Sequence, residues 1–254
     1  MVLEARLGRV TASDNRWFQD ASILGAARLS PGDKVSASTL EEDLAWLNRN
    51  PFRQVDAVFV QGAEPGTTDV QLEVKERYPL RPYVSYNNSG NPAIGEHMVS
   101  AGLNWGNVFD TDHHRGWPVY ERTCNIDGLA AHRLSYTAPL PWRHELSISA
   151  SHIETDSELF DVFGLSGRSS SVAARYSMPV PGPAIAGFSH QVQAGVDFRR
   201  TNNNLEFFGN EVFDDSSDII QLAAEYSGRL PDQFGVNRWY ANLVVSPGGL
   251  AGRG

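Results

Sequence analysis

The segment Phe188-Ser-His-Gln-Val-Gln-Ala-Gly-Val-Asp-Phe-Arg199 alternates without a break. In an extended chain Phe188, His190, Val192, Ala194, Val196 and Phe198 share one face, and Ser189, Gln191, Gln193, Gly195, Asp197 and Arg199 share the other. A period of two belongs to a strand with one apolar and one wet face. The pattern recurs on both sides of this segment. Val172, Ala174, Tyr176 and Met178 oppose Ser171, Ala173, Arg175 and Ser177. Ile220, Leu222, Ala224 and Tyr226 oppose Gln221, Ala223, Glu225 and Ser227. Trp239, Ala241, Leu243 and Val245 oppose Tyr240, Asn242, Val244 and Ser246, and Leu134, Tyr136 and Ala138 oppose Arg133, Ser135 and Thr137.

Such apolar faces either pack into a sandwich core or face lipid. The polar faces carry Arg133, Arg175, Asp197, Arg199 and Glu225, as a water-filled lumen accepts, although a sandwich exterior looks similar. Those charges either line a passage or brace it by cross-strand pairing, and bracing is the favoured reading. The connections separate the two folds. Tyr136-Thr-Ala-Pro139-Leu-Pro141 is echoed by Tyr176-Ser-Met-Pro179-Val-Pro181 and by Tyr226-Ser-Gly-Arg-Leu-Pro231. Each places an aromatic near a strand end and then a short proline turn. Between them, Thr155 to Gly167 and Thr201 to Asp218 read as longer polar loops. Short turns on one rim and long loops on the other characterise an outer-membrane barrel, with Tyr136, Tyr176 and Tyr226 at headgroup level.

About nine strands are expected, near 80–88, 95–106, 113–123, 128–138, 144–154, 169–178, 187–200, 218–228 and 237–246. Gly116 and Pro118 weaken the third. Bacterial barrels close with an even number. The N-terminus, Met1-Val2-Leu3-Glu4-Ala5-Arg6, lacks the basic and apolar regions of a signal peptide. Together these features give the expectation of a fragment.

Residues 1–78 read differently. A strand over 2–11 and a short helix over 19–29 lead to a turn at Pro31-Gly32-Asp33. Ser38 and Glu41 suggest a capping box for a second helix, with Leu40, Leu44 and Leu47 as its buried stripe and Asn50-Pro51 as its stop. Two strands follow. Val55, Ala57 and Phe59 mark the first, and Val70, Leu72 and Val74 alternate with polar residues in the second. The order β-α-α-β-β makes a small α/β module. Its open strand edge either accepts a client strand or is simply solvated.

Composition bounds the function. The 254 residues are 41% hydrophobic, yet no run approaches the ~18 apolar residues of a membrane helix. The net charge of −9 argues against a nucleic-acid partner. Cys124 is the single cysteine, which excludes a disulfide framework and a cysteine-based metal site. Asp110-Thr-Asp112-His113-His114 is a poor metal site, because adjacent histidines in a strand point to opposite faces. Glu41-Glu42-Asp43 reads as an acidic first helical turn, and Asp214-Asp215-Ser216-Ser217-Asp218 as a solvated loop rather than a calcium site. No nucleophile or acid–base constellation appears, so an enzyme, a metal and a cofactor are all unexpected.

The run Leu40-Glu-Glu-Asp-Leu-Ala-Trp-Leu-Asn-Arg-Asn-Pro-Phe-Arg53, followed by Gly66-Thr-Thr-Asp69, Val74-Lys-Glu-Arg77 and Tyr86-Asn-Asn-Ser-Gly90, resembles a known family. It is similar to the end of the last POTRA domain and the first barrel strand of two-partner secretion transporters. These are the haemolysin secretion/activation proteins of the ShlB/FhaC/HecB type (TpsB), within the BamA-like superfamily. Leu47, Asn48, Asn50, Pro51, Phe52 and Arg53 carry the most specific part, and Pro139-Leu-Pro-Trp-Arg-His144 resembles an early barrel turn. The resemblance implies an α+β POTRA domain (β-α-α-β-β) over 1–78, in the periplasm. It implies the N-terminal part of an antiparallel transmembrane β-barrel over 79–254, in outer-membrane lipid. The expected role is translocation and activation of a large unfolded exoprotein, such as a haemolysin or adhesin, recognised by the POTRA domain. The alternatives are an assembly factor of the BamA or TamA kind and a soluble β-sandwich binding module.

Overall fold

A computed structural model describes residues 6–34, 36–88, 96–108, 120–124, 128–159, 163–181, 187–207 and 210–247. Two compact units result. Described residues of 1–81 and 105–114 form one, and those of 82–104 and 115–254 the other. Asp110 to His114 fall outside the described residues.

The first unit runs β1 (Arg6–Ser13), α1 (Asp20–Ala26), α2 (Ala37–Leu47), β2 (Arg53–Gln61) and β3 (Thr67–Glu76). β3 lies in the middle, parallel to β1 and antiparallel to β2. Val70, Leu72 and Val74 on β3 pack with Leu7, Val55, Phe18 and the helical Ile23 and Leu47 in one core. Leu40 is also buried. Phe59 shares the face of buried Val55 yet is half exposed, because it lies toward the end of β2, beyond the residues that pack into the core.

The helix cap also departs from expectation. Ser36, not Ser38, is the N-cap of α2, and its Oγ accepts the Thr39 N–H at 3.4 Å. The third helical position is therefore Thr39, and Glu41 lies too far along to close a box. Glu42 and Asp43 likewise lie beyond the first turn. Both hold Arg28: Glu42 bonds its Nη2 at 2.6 Å, while buried Asp43 accepts its Nε at 2.9 Å and its backbone N–H at 2.6 Å. The bond to Glu42, then that to Asp43, raises the Arg28 guanidinium above its ordinary value. Ser36→Ala is expected to destabilise this unit by about 1 kcal/mol, and Ser38→Ala by clearly less. Urea midpoints from pulse proteolysis of the intact protein would separate the two.

The Leu47–Arg53 motif forms the joint between α2 and β2. Leu47 is fully buried, and its carbonyl accepts the Arg53 Nε at 3.1 Å. Asn48 caps the helix while its side-chain amide pairs with both the N–H and the C=O of Val55, at 2.6 and 2.9 Å. Pro51 occupies the second position of a turn closed by the Arg53 N–H on the Asn50 carbonyl. Buried Asn50 accepts the Phe52 N–H at 3.0 Å and donates to the Gly106 carbonyl at 2.9 Å. Phe52 lies over Gly106 so closely that a Cβ there would meet its ring at 2.1 Å. The Arg53 guanidinium stacks on the Phe18 ring at 4.9 Å.

The second unit holds β4 (Leu80–Asn87), β5 (Met98–Trp105), β6 (Tyr120–Cys124), β7 (Leu129–Pro139), β8 (Glu145–Leu159), β9 (Phe163–Pro179), β10 (Ser189–Phe207), β11 (Asn210–Asp232) and β12 (Gly235–Val245). These nine strands hydrogen-bond in sequence order, and the described pairings are antiparallel. Among the described residues the sheet stays open, with β4 and β12 at its edges. Arg143 takes a left-handed conformation (φ 64°) to close the turn between β7 and β8, which brings Pro139 opposite Glu145.

The long polar loops are corrected. Thr155 pairs with Gly167 and Leu159 with Phe163, while Thr201 pairs with Ser217 and Phe207 with Asn210. β11 alone is 23 residues long, whereas a transmembrane strand needs about 9–11. The rims therefore differ because the strands overrun the apolar band on one side. Asp214 to Asp218 lie within β11.

Candidate functional site: a two-faced membrane wall

The strand registers sort the second unit into two faces. Leu134, Ala150, Val172, Phe198 and Ile220 form one row across β7 to β11. Tyr136, Ile148, Ala174, Val196, Leu222 and Val245 form the next, extending onto β12. Ala138, Leu146, Tyr176, Ala194, Ala224 and Leu243 form a third. Most of this face is uncovered by described residues: Leu134 is 52% exposed, Leu222 51% and Leu243 63%, while Ala138 near the turn is buried. A sandwich core would bury them. An exposed apolar patch this continuous needs another apolar phase.

The band has two rims. On one side the same face turns polar along His132, His152, Ser170, Arg200 and Asp218. There the His152 ring pairs with the Ser170 hydroxyl at 2.8 Å, and Arg200 makes a two-pronged pair with Asp218 at 2.7 and 2.5 Å. On the other side lie two aromatic–histidine clusters. Tyr176 shares its hydroxyl with His144 and Trp142, and Tyr226 pairs with His190 beside Phe188 and Trp239. Along β10 the band runs from His190 to Arg200, about 34 Å of strand, which a tilt of ~40° projects to about 25 Å. That is the apolar height of an outer-membrane barrel.

The offsets of Tyr136, Tyr176 and Tyr226 agree with such a tilt. Tyr136 is level with Ala174, two residues from Tyr176, and Tyr176 is level with Ala224, two residues from Tyr226. Each step moves about 6.7 Å along the strand for about 9.6 Å across two strand spacings. The line through them slopes at about 35°, so strands tilted by that angle put all three tyrosines at one membrane depth.

The opposite face gathers all five charged residues singled out from the sequence. Arg133 and Arg199 share a row with Ser151 and Ser171, whose hydroxyls bond at 2.8 Å, and Arg199 pairs onward with Ile219. The register sets Glu121 across from Arg133. Arg175 reaches diagonally to Asp197, with two contacts of 2.6 Å. It crosses Gly195, where a Cβ would stand 2.5 Å from the Arg175 Cδ. Glu225 lies two residues along from the Gly195 row, opposite Gln193. Half-buried, the Arg175–Asp197 pair braces β9 to β10. A double-mutant cycle of Arg175→Gln and Asp197→Asn is expected to give a coupling of about 1 kcal/mol in vesicle-refolding titrations.

The family model described as haemolysin secretion/activation protein ShlB/FhaC/HecB matches residues 66–206, more than half of the chain. The chain belongs to this family. The outer membrane transporter CdiB of Dickeya dadantii (strain 3937) is 26% identical over 108 residues, 42% of this chain and 19% of that protein. CdiB from Escherichia coli superposes with a TM-score of 0.76, covering 98% of this chain and 46% of that one at 13% identity. CdiB from Acinetobacter baumannii gives a TM-score of 0.60, covering 94% and 46% at 13% identity. This ShlB/FhaC/HecB member thus spans about a fifth of the curated relative it matches and just under half of each solved CdiB. It is an outer-membrane β-barrel protein with a BamA-like fold.

Reading the sequence missed the polar row of His132, His152, Ser170, Arg200 and Asp218, and the histidines in the aromatic rim. Only the register assembles them, because their members lie up to 86 positions apart (His132 to Asp218).

Proposed function

We propose that the protein works as an outer-membrane transporter of two-partner secretion, passing a large unfolded exoprotein to the cell surface. Residues 1–78 serve as a POTRA-like periplasmic part that receives the client, and residues 79–254 as barrel wall. Arg133, Arg175, Asp197, Arg199 and Glu225 line or brace the lumen on that reading. The supporting observation is the two-faced sheet: one face suits lipid, and the other presents hydroxyls, amides and paired charges to water. β2 supports the client role, since β3 flanks it on one side only and it exposes Phe59 and Val60.

The test is deletion of the gene in its host. The exoprotein client should then accumulate in the periplasm and return to the surface on complementation. Depletion of many unrelated outer-membrane proteins, with secretion of that exoprotein intact, would overturn the proposal in favour of an assembly factor.

A further inference from the structure

The β11–β12 hairpin holds a feature that bracing does not explain. The register places Arg229 directly opposite Arg238, with Ser189 of β10 on the other flank. Directly paired residues of one face have Cβ atoms about 5 Å apart, and like charges so placed repel. Both arginines are exposed, and neither has a carboxylate within ion-pair distance among the described residues. Elsewhere in this sheet Arg175, Arg168 and Arg200 each have a carboxylate partner, in Asp197, Glu154 and Asp218. The nearest acid of the hairpin, Asp232, is held by the Phe234 and Gly235 N–H groups and the Asn237 amide.

The pair sits on the inward face. Arg229 follows Glu225 and Ser227 at even spacing, and Arg238 leads into Tyr240 and Asn242. Its level along the strands is one residue from the His190–Gly228–Trp239 row, which lies on the lipid face at the aromatic rim. The arginines therefore flank the turn-side mouth of the inward face. Tyr240, largely exposed, adds a hydroxyl beside them, and Ser227 lies opposite it. Two guanidinium forks and hydroxyls on one surface suit a carboxylate. Lipid phosphate is on the wrong side of the wall to reach them.

We infer that Arg229 and Arg238 form a carboxylate clamp at the turn-side mouth, engaged by an aspartate or glutamate side chain of polypeptide entering the channel. This rests on the inward face being a channel wall. The test uses the protein purified from outer membranes and inserted into planar bilayers, with hexaglutamate, hexaglutamine or hexalysine added on the turn side. Hexaglutamate should block conductance at a concentration about tenfold below that of hexaglutamine. The R229Q/R238Q protein should lose that preference while keeping its open conductance. Equal block by hexaglutamate and hexaglutamine in the unaltered protein would overturn the clamp, as would a preference surviving in R229Q/R238Q. Failure of R229Q/R238Q to insert would also overturn it, since the arginines would then be satisfied within the wall. A protein that inserts but never conducts would instead sink the channel reading.

Discussion

Leu222→Arg should cost the folded sheet about 2–4 kcal/mol, whereas Gln221→Arg, one residue away, should change it by less than about 1 kcal/mol. Leu222 lies in the middle of the apolar face, in the row with Tyr136, Ile148, Ala174, Val196 and Val245, and it is half exposed. In the proposed barrel wall an arginine there meets hydrocarbon. Gln221 lies on the opposite face, across from Asp197, where an added guanidinium finds water and a carboxylate. Urea-dependent folding into phospholipid vesicles would measure both. Equal costs at the two positions would contradict the assignment of the faces. A soluble fold would tolerate both changes, since each position is at least partly open to solvent in the isolated chain.

Leu47→Ala should cost the first unit about 2–5 kcal/mol, a large fraction of the stability of a small domain. Leu47 is fully buried between α2 and the sheet, and it opens the motif that joins α2 to β2. Removing its side chain leaves a cavity in the core it shares with Leu72 and Val74, and loosens the segment whose carbonyl holds Arg53. Leu47→Met, which conserves volume, should cost under about 1.5 kcal/mol. Pulse proteolysis of the intact protein in urea would read both, with cleavage mapped to the first unit. A Leu47→Ala midpoint indistinguishable from the unaltered protein would show that the motif does not anchor this core.

Much of the fold was legible because the membrane imposes a period of two. Val192 to Phe198 announced a strand with one apolar face, and the proline turns after Tyr136, Tyr176 and Tyr226 announced a repeated rim. The pattern stops where the hydrocarbon stops. Beyond Phe198 the serine, asparagine and aspartate residues of 201–218 carry no alternation in the sequence and resemble a loop, yet their backbones remain paired. Ser38 and Ser36 are both plausible caps, and the choice depends on where the preceding turn delivers the chain. The Arg175–Asp197 pair is diagonal, 22 positions apart, and needs Gly195 beneath it; Arg229 and Arg238 meet only because the turn falls at 233–234.

The most direct test of the two-faced membrane wall is a nitroxide scan of residues 190–200 in outer membranes, one cysteine at a time. It requires Cys124→Ser, since Cys124 is the single native cysteine. Positions 192, 194, 196 and 198 should be relaxed by oxygen and shielded from a water-soluble nickel chelate. Positions 191, 193, 195, 197 and 199 should show the reverse, and position 200 should join the water-accessible set. Uniform access of the chelate along the segment, or shielding of both faces from both reagents, would contradict a wall with lipid on one side and water on the other.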